Sequence, residues 1–97
     1  MTTTDVLQEL WDVIESRADN PSPDSYVSRL LTDKKGIDKV LEKVGEESTE
    51  FIIAVKNGVP ERTIEEAADL QFHLLVALRA AGIDFSQVLE ELASRRK

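Results

Sequence analysis

Glu66-Ala-Ala-Asp-Leu-Gln-Phe-His-Leu-Leu-Val-Ala-Leu78 is the stretch whose reading decides the fold. From Ala67 to Leu78 only Asp69, Gln71 and His73 interrupt Ala, Leu, Phe and Val, so the segment is apolar nearly all round. Such a helix is expected to be buried on most sides. Glu66, Asp69 and His73 stand at i, i+3 and i+7 on one narrow edge, which places them inside or at the rim of a bundle. A carboxylate taken out of water without a partner is expensive. Asp69, in mid-run, is the acid expected to be least able to find water.

Helical spacing extends outward from this segment in both directions, and no strand pattern interrupts it. The expected fold is all-α, a five-helix bundle whose core is completed by a second chain. A first helix runs from about Thr4 to Ala18 on Val6, Leu7, Leu10, Trp11 and Ile14. After Asn20-Pro21, Ser22 is the expected cap and Pro23 the first-turn residue of a short second helix carrying Tyr26, Val27, Leu30 and Leu31. A long third helix spans Ile37 to Asn57 with Gly58 as its stop. Thr63-Ile-Glu-Glu66 fits a capping box, so the fourth helix starts between Pro60 and Thr63 and runs to Ala81, where Gly82 ends it. Asp84 and Gln87 repeat the capping pattern for a last helix through Val88, Leu89 and Leu92.

The third helix carries a second acidic signature, Glu47-Ser-Thr-Glu50. Advancing about 100° per residue, Val44, Ser48, Phe51 and Val55 form the stripe expected to be buried, with Glu47 and Glu50 flanking it. Lys43 and Lys39 continue the acidic edge one and two turns earlier, and Glu46 lies just beyond it. Gly45, Ser48 and Thr49 on this helix and Ala67 and Ala68 on the next are small enough to let the two backbones approach. Their acidic edges can then face each other across a cation. Hard divalent ions take oxygen ligands, and Mg²⁺ is usually shared with phosphate groups of a substrate.

Spacing alone is weak evidence for such a site. Glu9/Asp12 and Asp12/Glu15 repeat the i, i+3 pattern and are read as solvated surface. What sets the two motifs apart is the apolar, small-residue context. A metal-free alternative is that Lys39 and Lys43 neutralise the acids as interhelical ion pairs. His73 reads first as a satisfied core histidine. Di-iron bundles use Glu-x-x-His motifs, and Leu70 stands where that glutamate would be. There is no nucleophile elbow and no glycine-rich phosphate loop.

Composition narrows the remaining choices. Ninety-seven residues make one domain, expected to span 1–97. A formal charge of -7 argues against a nucleic-acid or anionic-membrane surface, while leaving room for a small phosphorylated substrate. No apolar run is long enough to span a bilayer and no signal-peptide pattern is present, so a cytoplasmic protein is expected. Without cysteine, the chain must be held by core packing or by oligomerisation, and a homodimer or higher homo-oligomer is expected.

Lys43-Val-Gly-Glu-Glu-Ser-Thr-Glu50 followed by Glu66-Ala-Ala-Asp-Leu-Gln-Phe-His-Leu-Leu-Val76 resembles the all-α nucleoside triphosphate pyrophosphohydrolases, the MazG-like group. Ser25-Tyr-Val-Ser-Arg-Leu-Leu31 and Val88-Leu-Glu-Glu-Leu-Ala-Ser-Arg95 look most like its phosphoribosyl-ATP pyrophosphohydrolases, which act in histidine biosynthesis. Gln71 and Phe72 depart mildly from that pattern, at no metal position. The resemblance implies hydrolysis of the α,β-phosphoanhydride of phosphoribosyl-ATP to phosphoribosyl-AMP and pyrophosphate, by a stand-alone form of the enzyme. It further implies Mg²⁺ held by Glu47, Glu50, Glu66 and Asp69, with one of these or Glu46 accepting the proton from water. Lys43, and beyond it Lys39, would contact phosphate. The competing expectations are a housecleaning pyrophosphohydrolase for other nucleotides and a non-enzymatic helical module that binds a basic partner.

Overall fold

A computed structural model describes residues 5–96. In it α1 spans Val6–Asp19, α2 Tyr26–Leu31, α3 Ile37–Asn57, α4 Pro60–Ala80 and α5 Phe85–Ser94. No strand occurs among the described residues, and no single helix there is long and apolar enough to cross a membrane. The expected start of the first helix at Thr4 lies outside the described residues. α3 and α4 form a long antiparallel hairpin, against which α1, α2 and α5 pack.

Local chemistry sets the ends of these helices. Gly58 closes α3 in the left-handed conformation, at φ 69°, which costs glycine nothing because it has no Cβ. Asp84 and Gln87 make the expected capping box at the start of α5. Two other expected caps are corrected. The residue that caps α2 is Ser25, whose hydroxyl accepts from the Ser28 N–H at 3.2 Å, while Ser22 and Pro23 belong to the preceding turn. Thr63-Ile-Glu-Glu66 makes no capping box: α4 already starts at Pro60, the Thr63 hydroxyl donates back to the Val59 carbonyl, and Glu66 is held by Arg62. Proline at the first position needs no N–H there, so it outcompeted the later cap.

The hydrophobic core occupies one end of the molecule. Trp11 and Ile14 of α1, Val27 and Leu30 of α2, Val40 near the start of α3, Leu75 and Val76 late in α4, and Phe85 of α5 make a single cluster. Ser28 Oγ ties α2 to α1 through the Arg17 carbonyl at 2.8 Å, and Arg79 joins α4 to α1 through Glu15 and Asp19. Glu15 is therefore paired, and Glu9 has one buried oxygen without a partner; neither is the simply solvated acid the sequence suggested.

The other end of the α3–α4 hairpin projects from the core, and its outer surface is uncovered. On α3 the buried line is Val40, Glu47 and Ala54, while the expected stripe of Val44, Ser48, Phe51 and Val55 is half-buried or exposed. α4 likewise buries only Glu66, His73, Leu75 and Val76, leaving Ala68, Asp69, Gln71 and Leu74 exposed. Ile52 and Ile64 are 60% and 69% exposed. A radius of gyration of 14.4 Å, against about 13 Å for a well-packed 100-residue domain, reflects the projecting hairpin.

Candidate metal centre

Where the core ends and the bare hairpin begins, α3 and α4 bring acids together. Glu47 sits in the buried line of α3 because its seven-residue spacing from Val40 and Ala54 puts all three on the side facing α4. Glu66 and Asp69, one turn apart, point back from α4. Glu47, Glu66 and Asp69 each offer an oxygen within 4.8 Å of the others. The most buried of the three are Glu47, 8% exposed, and Glu66, 3% exposed. Asp69 is exposed, which corrects the expectation that it has least access to water. Ala68 and Gln71 beside it are exposed as well, and the apolar residues around it, Ala67, Leu70 and Phe72, are only half-buried.

Neutralisation inside the cluster is incomplete. Arg62 holds one oxygen of Glu66 at 2.5 Å, and Lys43 stands 3.8 Å from one oxygen of Glu47. In each glutamate the second oxygen, Oε2, is buried and has no hydrogen-bond partner. Buried polar atoms are nearly always satisfied, so two orphaned carboxylate oxygens from adjacent helices, facing a third acid, fit a hard divalent cation. Burial pushes the Glu47 carboxyl above its usual range; the Glu66 carboxyl, close enough to share a hydrogen bond with the protonated form, pushes it further, and the charges of Glu50, Asp69 and Glu66 add repulsion.

The remaining expected site residues surround this trio. Glu50, exposed one turn beyond Glu47, lies outside the tight group, although its charge acts on Glu47. Glu46 is exposed and bonded to Lys43 at 3.1 Å, which holds its carboxyl below the usual range. Lys43 thus bridges Glu46 and Glu47 along a single helix. Lys39 is not brought into the cluster and pairs only loosely with Glu42, at 3.9 Å. No interhelical lysine pair neutralises the acids among the described residues.

Sequence reasoning missed Arg62. Its signal was present, since an arginine four residues before a glutamate on one helix meets it on the same face. His73 is the satisfied buried histidine that was expected, with Nδ1 2.8 Å from the Asp69 carbonyl and Nε2 2.9 Å from the Tyr26 hydroxyl. Near the cluster, Glu50, Ile53, Ala54, Asn57, Val59 and Arg62 line a cavity of about 330 Å³.

An all-α fold that gathers carboxylates from two packed helices, with oxygens within 4.8 Å of one another, has the layout of the all-α nucleoside triphosphate pyrophosphohydrolases. Comparison with known sequences narrows that class. The sequence model of the phosphoribosyl-ATP pyrophosphohydrolase family matches residues 7–96, and the chain belongs to that family. It is 74% identical over 92 residues to a protein of Methanoregula boonei, covering 95% of this chain and 88% of the relative. It is 64% identical over 97 residues to one of Methanoculleus marisnigri, covering both in full. Both relatives are named phosphoribosyl-ATP pyrophosphatase. A histidine biosynthesis bifunctional protein HisIE of Parasynechococcus marenigrum is 50% identical over 92 residues, which make up 40% of that longer protein.

Proposed function

We propose that this protein hydrolyses phosphoribosyl-ATP to phosphoribosyl-AMP and pyrophosphate, as a step of histidine biosynthesis in the cytoplasm, and that the whole chain is one domain devoted to it. The observation that carries the reading is the pair of buried, unpartnered oxygens on Glu47 and Glu66 beside Asp69. They supply a hard-oxygen site, and family membership supplies the substrate. Glu47, Glu66 and Asp69 would hold Mg²⁺, with Glu50 reaching in from solvent to complete the set. When bound, the cation would neutralise charge developing on the phosphate oxygens and the departing pyrophosphate.

The chain's own residues divide the rest of the work. Lys43 would leave Glu46 and contact a phosphate oxygen as a point charge. Glu46, freed from that bond and outside the trio, would take the proton of the attacking water. Water oxygen then bonds to phosphorus as the anhydride bond breaks, and the electron pair leaves with pyrophosphate. Lys39 would add only long-range attraction for the polyphosphate.

A second copy of the chain would cover the hairpin. Leu41, Ile52 and Val55 on α3 and Ile64 and Leu74 on α4 are large, apolar and exposed, and the stripe written into α3 for burial is only partly covered by the described residues. A homodimer burying this face supplies one.

Pyrophosphate release from phosphoribosyl-ATP, measured with and without Mg²⁺ and beside a panel of nucleoside triphosphates, tests the activity. The expected result is metal-dependent release with phosphoribosyl-ATP strongly preferred. Equal rates on the panel, or no release at all, would reject it.

A further inference from the structure

We propose that the cavity at the turn end of the α3–α4 hairpin receives the adenine base of the substrate, with Asn57 as the residue that reads it and the polyphosphate running the other way along α3; this rests on the pyrophosphohydrolase reading of the site. Two residues of the cavity wall tie it to the acids. Glu50 stands one turn beyond Glu47, and Arg62 holds Glu66 at 2.5 Å. Cavity and acid cluster therefore share a boundary, and a ligand that fills one reaches the other.

Helix geometry gives the direction. Lys39, Lys43, Glu46, Glu50, Ile53 and Asn57 recur at steps of four and three residues, so they form one row along a flank of α3. The end of the row nearer the core carries two lysines, which suit a polyphosphate. Its other end is Ile53 and Asn57, joined in the cavity wall by Ala54 and by Val59 just past the turn. Between the two ends lies the level of the acids that would hold the cation. Pyrophosphate, scissile anhydride and nucleoside follow one another in the substrate in the same order. The α3 stripe assigned to a second copy, Leu41, Ser48, Ile52 and Val55, falls on the opposite flank, with the buried line of Val40, Glu47 and Ala54 between. A copy seated on that stripe does not fill the cavity.

The wall itself favours a base over a phosphate. Apart from Glu50 and Arg62 it is neutral, and Ile53, Ala54 and Val59 make most of it apolar. Its volume of about 330 Å³ stands at the small end of the range for small-molecule sites, about 300–1,000 Å³, which suits a base with its sugar rather than the whole substrate. Asn57 is the neutral polar side chain there, and it makes no side-chain hydrogen bond to any described residue. Its amide carries a donor and an acceptor together, the pair that the N6 and N7 edge of adenine requires.

Ligand binding tests the placement apart from turnover. In ¹H–¹⁵N spectra of the protein in Mg²⁺ buffer, AMP, which has base, sugar and one phosphate, is expected to shift the Asn57 side-chain amide and the backbone amides of Ile53 and Val59. Inorganic pyrophosphate is expected to shift Lys43 and Glu46 and to leave those three in place. AMP shifts confined to the lysine end, or none anywhere, would overturn the proposal. In turnover, Asn57→Leu is expected to raise KM for phosphoribosyl-ATP about tenfold, the worth of one bidentate base contact. Its kcat is expected to stay within about twofold, because the base is held alike before and during cleavage, and its inhibition by pyrophosphate to match wild type. Asn57 is exposed in the last turn of α3, so the melting temperature is expected to hold. Ile53→Trp fills the cavity by another route and is expected to raise KM likewise. An unchanged KM in both variants, or pyrophosphate inhibition weakened in step with KM, would sink the proposal. A wild type that binds AMP at Asn57 but releases no pyrophosphate from phosphoribosyl-ATP would uphold the base site and defeat the assigned reaction.

Discussion

Arg62 and Glu66 stand one turn apart on α4 and join at 2.5 Å, so the most buried carboxylate of the cluster spends one oxygen on a cation from its own helix and keeps the other bare. Glu47 on α3 repeats the arrangement with Lys43, less tightly. Two cations thus face four carboxylates, counting Asp69 and Glu50. The residual negative charge is what a divalent ion would neutralise, and its repulsion is stored in the metal-free protein.

Substitution at Glu47 therefore has opposite effects on activity and on stability, while substitution at Glu66 also gives up part of the Arg62 pair. Glu47→Gln and Glu66→Gln are each expected to lower turnover by at least about 10²-fold, the scale of losing a main electrostatic element of an active site. In EDTA Glu47→Gln is expected to melt higher than wild type, by on the order of 5 °C for about 1 kcal/mol of relieved repulsion, whereas Glu66→Gln also weakens the Arg62 pair and is expected to show no such gain. Asp69→Asn and Glu50→Gln are expected to lose activity with little change in melting, because water already screens them. Paired assays of pyrophosphate release and thermal melting check both halves. A buried acid whose amide variant keeps full activity is not a ligand.

Acidity offers an independent check on Glu47. Its ordinary pKa is 4.5, and in the folded protein burial, then Glu66, Glu50 and Asp69, raise it. Above 4.5 the unfolded chain has lost a proton that the folded protein still holds, so stability falls as pH rises. The contribution is complete below 4.5 and lost as pH passes the raised value. Lys43 beside Glu47 tempers the rise without reversing it. Glu46, lowered by Lys43, and Asp84, lowered by the Ser86 N–H, act with the opposite sign and at lower pH, their stabilisation being lost as pH falls through their depressed values. Urea midpoints in EDTA are expected to decline above pH 4.5, the decline vanishing in Glu47→Gln and shrinking with Mg²⁺. A decline unchanged in Glu47→Gln would assign it elsewhere.

Arg62 makes a third case. Arg62→Gln leaves Glu66 without its partner, so in EDTA the variant is expected to melt below wild type. The cluster becomes more negative, so Mg²⁺ is expected to bind more tightly and to raise the melting temperature further than in wild type. Isothermal titration with Mg²⁺ measures the first and melting the second. Equal Mg²⁺ affinity in both proteins would mean that Arg62 does not share the cation's field.

The helices were legible because their signals are local: Gly58 and the Asp84–Gln87 box end or start a helix by themselves. Ser25 over Ser22, and Pro60 over Thr63, were choices between rival local signals, settled by where each helix docks. At the site, spacing picked out Glu47, Glu66 and Asp69, which the fold brings together, but misjudged their burial, and Glu50 lies outside that group. The wheel of α4 says that much of its surface is apolar without saying what covers it. Asp69 thus looked buried, while Glu47, on the edge of the α3 stripe, proved to be buried. The Tyr26–His73 bond spans 47 residues of sequence, and no periodicity reports such a contact.

That misjudged burial carries the last prediction. Val44, Ser48, Phe51 and Val55 are patterned for an interior, yet within the chain they are half-buried or exposed, beside Leu41, Ile52 and Ile64. An apolar face of this size on a small domain marks an interface. Light scattering coupled to gel filtration is expected to give a mass of at least twice the 10.9 kDa chain. Ile52→Glu and Ile64→Glu are expected to shift that mass toward the monomer, since a charge buried without a partner opposes association. Wild type running as a monomer at micromolar concentration would refute the dimer. Because both isoleucines lie on the projecting hairpin away from the core cluster, the variants are expected to keep their helical circular dichroism, and any fall in activity would then measure what the second copy contributes to holding α3 against α4.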